Sequence, residues 1–375
     1  MATARSPLMA AVKRDDSETL RQLLLVPGVN VDARASPQKR TPLMVAAAMG
    51  YEKCARLLID AGASLDATYA TGITALFLAA RVDEVACVRL LVDRGASVNK
   101  ATDNNKSSPL YVAAFNGRAE SLAALLRAPG INISAAVDLQ EVGYTPLHIA
   151  AQKGHVECVL RLAQAGAALE ARDKARRTPL HIAAAFDHAA SLIVLLESGA
   201  DMEARDEDGW TPLISACSRN ASACALLLLN AGASTEKRAN DNATALHYAA
   251  QRANYVLARA LISHSSTFAA INTTQSTNSL TPLHLAANAG ALAVARLLLD
   301  QPGVDVNAVA TSHAHTPLAS AAAGGHYDKM APLLLAAGAT QVEAPSSSDS
   351  EASSHAAAAA IARIMMRSML RAATS

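Results

Sequence analysis

The chain has 375 residues, with 33 Lys and Arg against 32 Asp and Glu and a net charge of +1, so no bulk attraction to nucleic acid or anionic membrane is built into it. Half of it is apolar (51%) but only 3% is aromatic, a composition suited to short, closely approaching helices. The first residues, MATARSPLMAAVKRDD, lack the apolar run of a secretion signal, and no stretch of 18 apolar residues predicts a membrane span; the expected location is cytosolic or nuclear.

In chain order the dominant feature is repetition. TPLHIAA occurs at Thr145 and at Thr178, and degenerate copies begin at Ser6, Thr41, Thr74, Ser108, Thr211, Thr244, Thr281 and Thr316, spaced by 33 to 37 residues. Such a period predicts a stack of small units, each contacting its neighbours, instead of one globular core. In the unit from Asp173 to Arg205, Thr178 is the expected N-cap and Pro179 fits the first helical position, where no amide donor is needed. Ile182, Ala183 and Ala184 face inward from a first helix. After a break near Asp187 and His188, a second helix runs through Leu192, Val194, Leu195 and Leu196, and Gly199 ends it. Gly62, Gly95, Gly166 and Gly232 hold the same place, suited to the left-handed turn that terminates a helix. The residues up to the next Thr are expected to form an extended, hairpin-like loop.

The motif TPLHxAA, the Gly and His at the inter-helix turn (Gly154, His155; Gly325, His326), the Gly-Ala pair after the second helix and the period together resemble the ankyrin-repeat family over residues 6 to 344. The resemblance implies an all-α solenoid of about ten stacked helix-turn-helix repeats joined by hairpin-like loops. It also implies an elongated, curved interaction scaffold whose concave side, made from loop tips and first helices, binds a partner protein. In that family the positions free to vary for binding lie four, three and one before the motif Thr, and seven and eight after it. Here they hold Phe115, Asn116, Glu141, Tyr144, Lys153, Arg177, Phe186, Glu207, Asp208, Trp210, Arg219 and Arg252. Aromatic residues and Arg are the types enriched at binding hot spots, although Phe115 and Phe186 also fit a plain role as covers over the junctions between first helices. Trp210, at the base of a loop, is expected to face the groove beside Phe186 and Arg219 and to contribute little to folding.

The histidines and cysteines follow the repeat. His148, His181, His247 and His284 are the fourth letter of the motif, where the family uses imidazole for structural hydrogen bonds, and His155, His188 and His326 fall at the inter-helix turn. Cys54, Cys87, Cys158 and Cys224 all lie 13 residues after the motif residue, and Cys217 replaces a motif Ala; all five read as small core residues, with no metal site and no disulfide expected. No phosphate-binding GxxxxGKS, GxSxG, HExxH or kinase motif is present, so neither catalysis nor a cofactor is expected.

Departures from the pattern concentrate late in the chain. Longer loops fall near residues 132 to 142 and 268 to 280, Ser265 stands where a terminating Gly belongs, and Pro332 lies within a second helix. Residues 345 to 355 form a Ser-rich acidic linker. Residues 356 to 373 read as an amphipathic helix, with Arg363, Arg367 and Arg371 on one face and Ile361, Ile364, Met365 and Met369 largely opposite. That helix fits a cap on the last repeat, a docking helix or a weak peripheral membrane contact. The reading is a non-enzymatic adaptor that binds a protein, with neither nucleic acid nor an integral membrane segment. The alternative is a regulatory or targeting subunit joined to a separate enzyme through the C-terminal helix.

Overall fold

The computed structural model describes residues 7–34, 39–137, 143–265, 271–276, 278–311 and 315–340. The linker and the C-terminal segment, with Ser6 and Glu141, lie outside the described residues. Contacts divide the chain near the start of repeat six, residues 1–179 with 197–200 forming one unit and residues 180–196 with 201–375 the other. The first unit pairs α1 (Pro7–Lys13) with α2 (Ser17–Leu24), α3 (Pro42–Met49) with α4 (Glu52–Asp60), and α5 (Ala75–Val82) with α6 (Val85–Asp93). It continues with α7 (Pro109–Phe115) and α8 (Ala119–Leu126), then α9 (Pro146–Lys153) and α10 (Val156–Gln164). The second unit pairs α11 (Pro179–Ala185) with α12 (Ala189–Glu197), α13 (Pro212–Ser218) with α14 (Ser222–Asn230), and α15 (Ala245–Gln251) with α16 (Tyr255–His264). It ends with α17 (Pro282–Asn288) and α18 (Leu292–Leu299), then α19 (Pro317–Ala323) and α20 (Tyr327–Ala336). The ten pairs coincide with the ten motif copies, so the all-α repeat architecture expected from the period is the one observed.

The first helices α3, α5 and α7 each start where the motif hydroxyl accepts an orphan amide. Thr41 accepts from the Met44 N–H at 3.3 Å, Thr74 from Phe77 at 3.2 Å and Ser108 from Tyr111 at 3.1 Å. The apolar motif positions are then sealed between neighbouring helices of the same unit: Leu43, Leu76, Leu110 and Leu147 are at most 1% exposed. The second helices end on glycines such as Gly199, whose φ of 94° an L side chain rarely adopts. Loop tips close by a backbone bond between the residues five and one before the motif Thr, as from Asp173 N–H to Arg177 O (3.1 Å) and Asp206 N–H to Trp210 O (3.0 Å). They are hairpin-like turns, and two isolated bridges, Tyr69 with Ile73 and Ala310 with His315, are the nearest approach to a sheet among the described residues.

At two inter-helix turns that lack Gly, an Asp takes its place at positive φ and does a second job. Asp83 (φ 72°) accepts from the Ser121 N–H at 3.0 Å, and Asp187 (φ 57°) from the Cys224 N–H at 2.9 Å, so each carboxylate caps the second helix of the following repeat. Asp187→Gly keeps the left-handed backbone but deletes the acceptor. It is expected to lower stability by about 1 kcal/mol in urea denaturation, with Asp187→Asn costing less.

The C-terminal departures have local consequences. α16 ends at Ser265 in extended conformation (φ −74°, ψ 130°), without the left-handed turn of its counterparts. α20 runs through Pro332, which lies on its exposed side, and is one residue longer than α10. Pro332 removes one backbone donor from this helix. Amides of residues 281–340 are therefore expected to exchange faster than those of 145–232 in hydrogen-exchange mass spectrometry, and equal protection would contradict this.

Candidate functional site

The motif histidines are framework. In His148, Nδ1 receives the Thr145 N–H (3.3 Å) and lies 2.8 Å from Thr145 Oγ1, which leaves Nε2–H to donate to the Arg177 carbonyl of the next loop at 3.0 Å. The same arrangement joins His247 to the Leu280 carbonyl (3.2 Å) and His284 to that of His315 (3.0 Å), and His181 reaches the Trp210 carbonyl at 3.0 Å. Burial pushes His148 and His284 below the usual imidazole range and His247 down to about 4. The five thiols are buried and unpaired with one another, and burial raises each to about 12, far from nucleophilic character. Among the described residues, no group of His, Cys, Asp and Glu is placed to hold a metal ion, and no helix is long and apolar enough to cross a membrane.

Within each unit, some of the large side chains left at the surface stand at the C-terminal ends of the first helices. In the first unit Met49 is 54% exposed, Val82 37% and Phe115 40%. Lys153 follows in the next repeat, with its ammonium 5.0 Å from the Phe115 ring centroid. In the second unit Phe186 is 37% exposed, stacks on His188 at 6.4 Å and carries the Arg219 guanidinium 5.7 Å from its centroid. Met49 and Val82 were missed by a reading that looked for aromatic and charged residues; the signal was present, because both stand eight residues after their motif Thr.

The other expected binding residues divide by how much of their surface the fold consumes. Asn116 donates to its own helix at Val112 O (2.8 Å), and Arg252 donates through Nε to Ser218 O (2.8 Å). Tyr144 is only 5% exposed and stacks on His148 at 5.4 Å, so it fills the interior instead of the face. Arg177 pairs with Asp173, whose carboxylate is fully buried, at 2.8 Å. Trp210 packs edge-to-face on Tyr248, itself 6% exposed, with centroids 5.1 Å apart; its backbone N–H donates to Asp206 Oδ1 at 2.8 Å and its backbone carbonyl receives His181. This gives Trp210 a folding role that its column does not announce. Glu207 is exposed and Asp208 partly so, and the carbonyls of both receive hydrogen bonds from Asn240 at 2.8 Å.

The sequence pattern of ankyrin repeats matches residues 2–69, 62–137, 133–206, 194–272 and 257–344, and the chain belongs to the ankyrin-repeat family. It is similar to the human ASB11 ankyrin repeat domain, with 27% identity, 61% of this chain and 100% of that one covered, and a TM-score of 0.53. It is likewise similar to the ankyrin repeat domain of Bcl-3, described as a unique member of the IkappaB protein family, with 27% identity, coverage of 59% and 98%, and a TM-score of 0.53. A curated relative, the probable E3 ubiquitin-protein ligase XBOS32 of Oryza sativa subsp. japonica, is 32% identical over an alignment of 157 residues, with 35% of this chain and 32% of that protein covered. The match thus spans about a third of the relative's length. Ankyrin repeats are, as a class, protein-protein interaction modules.

Proposed function

We propose that the chain is a non-enzymatic adaptor that holds a segment of a partner protein on the face made by its first helices and loop tips, within the cytosol or nucleus. The carrying observation is the large side chains at the ends of first helices, Met49, Val82 and Phe115 in the first unit and Phe186 just past α11 in the second, each more than a third exposed beside helices whose other apolar residues are almost all sealed. Side chains that only covered helix junctions would cost stability, and not binding, when replaced by polar ones. The test is affinity purification of residues 1–375 beside a Met49→Ser, Phe115→Ser, Phe186→Ser variant whose thermal midpoint has been checked. Partners that copurify with the wild type and are lost from the variant support the face; an unchanged set counts against it.

The second reading is a targeting subunit attached to an enzyme, and the likeness to a probable ubiquitin ligase over part of its length favours keeping it in the same experiment. In that case a chain ending at residue 344 loses an enzyme that the repeats alone do not retain.

A further inference from the structure

Independently of the face proposed above, we propose that residues 356–373 lie as a helix across the open end of repeat ten, with Ile361, Ile364, Met365 and Met369 against α19 and α20. That end is open at positions which the other repeats seal. The sixth residue after the motif residue is 0% exposed from Ala47 in repeat two to Ala287 in repeat nine, with Cys217 in the alanine's place in repeat seven, yet its counterpart Ala322 is exposed. The third residue after the motif residue is also buried from repeat two to repeat nine, and in four of these it is a histidine that reaches a carbonyl of the next loop. Three apart on one helix face, the two positions therefore look toward the following repeat. In repeat ten the third is Ala319, and Ala319, Ala322 and Ala323 make an apolar stripe in contact with solvent. On α20, Leu335 is 39% exposed, whereas the same position, one past the buried Leu of the second helix, is buried or half-buried from Ile59 in repeat two to Leu299 in repeat nine. Repeat ten has repeat nine behind it, so the cover it lacks is the one a following repeat supplies. A terminal repeat needs a polar outer face, and this one presents alanines and a leucine.

The chain itself supplies the occupant. The ankyrin pattern stops at residue 344, and residues 345–375 hold no further copy of the motif. Counted from Thr316, the spacing of 33 to 37 would start an eleventh motif at residues 349 to 353, with its first helix beginning one residue later. The amphipathic segment begins at residue 356, so it falls where that helix would, and the Ser-rich linker takes the place of the loop. Ile361, Ile364, Met365 and Met369 recur at i, i+3, i+4 and i+8. As a helix they span about 12 Å, against about 10 Å for the length of α19. The flexible Met side chains suit a flat alanine stripe whose small residues leave gaps to fill. Arg363, Arg367 and Arg371, largely on the opposite side, then give the stack the polar outer face that repeat ten does not provide.

The test compares the full chain with an Ile364→Asp, Met365→Asp variant, which changes no residue of the ten repeats, by hydrogen-exchange mass spectrometry. Amides of residues 317–336 are expected to exchange about tenfold faster or more in the variant, with those of residues 7–164 unchanged. Ala322→Lys, at an exposed position, should accelerate the same amides, and adding it to the tail variant should have little further effect, as for two residues of one contact. If Ala322→Lys unfolds repeat ten, the tail variant still decides. Unchanged exchange of 317–336 in the tail variant would overturn the proposal, and so would fully additive effects of the two changes. Wild-type protection of 317–336 that rises with protein concentration, together with a dimer in sedimentation, would make a second copy the occupant and overturn it too. Binding of the wild type to vesicles of anionic lipid that is lost in the tail variant, with exchange of 317–336 the same in both, would overturn it in favour of a membrane contact. The readout needs no partner, so its outcome is separate from that of the face.

Discussion

Lowering the pH through the imidazole range is expected to destabilise the second unit well before its carboxylates protonate. His247 is fully buried, bonded through both ring nitrogens and pushed down to about 4 from an ordinary value near 6.5. The unfolded chain thus binds a proton between these values that the folded chain refuses. Stability is complete above about pH 6.5, declines as the pH falls toward 4, and levels off below it; His247 alone accounts for on the order of 3 kcal/mol. His284, lowered mainly by burial, adds in the same direction, as does His148 in the first unit. Urea midpoints measured from pH 7 to pH 4 check this. His247→Gln should be less stable than the wild type at pH 7 but show a shallower decline across that interval. A flat wild-type curve would mean that these rings are solvated and not part of the framework.

The fold was legible because ten copies average out the noise of any one: Thr at the cap, Pro behind it and Gly after the second helix state the same local physics repeatedly. The face was only partly legible. A repeat position tells which way a side chain starts but not what the neighbouring repeat offers it. Tyr144 and Phe115 both fell in binding columns; His148 supplies a flat surface that draws the tyrosine inside, whereas Phe115 sits at a helix end with Lys153 above it. Asp83 and Asp187 show the converse, since a turn residue that looks like a poor substitute for Gly gains a following helix to cap.

Trp210 and Phe186, which fall in two of the expected binding columns, are expected to separate in their effects. Trp210 is only partly exposed against Tyr248, and its backbone joins the Asp206 carboxylate to the His181 ring. Trp210→Ala keeps the backbone bonds but removes the ring contact with Tyr248 and opens a void beside a buried phenol, so a loss of about 2 kcal/mol or more in folding stability is expected. Phe186, at 37% exposed, meets His188 and the Arg219 guanidinium. Phe186→Ala should cost less than about 1 kcal/mol in folding but about 2 kcal/mol or more in affinity for a partner held on this face. Urea denaturation of each variant, with titration against a copurifying partner, reads both quantities. A Trp210→Ala protein as stable as the wild type but unable to bind would restore the tryptophan to the centre of the site. A Phe186→Ala protein that binds normally would reduce that ring to a cover over the junction between first helices and shift the contact surface of the second unit to the acidic tip at Glu207 and Asp208.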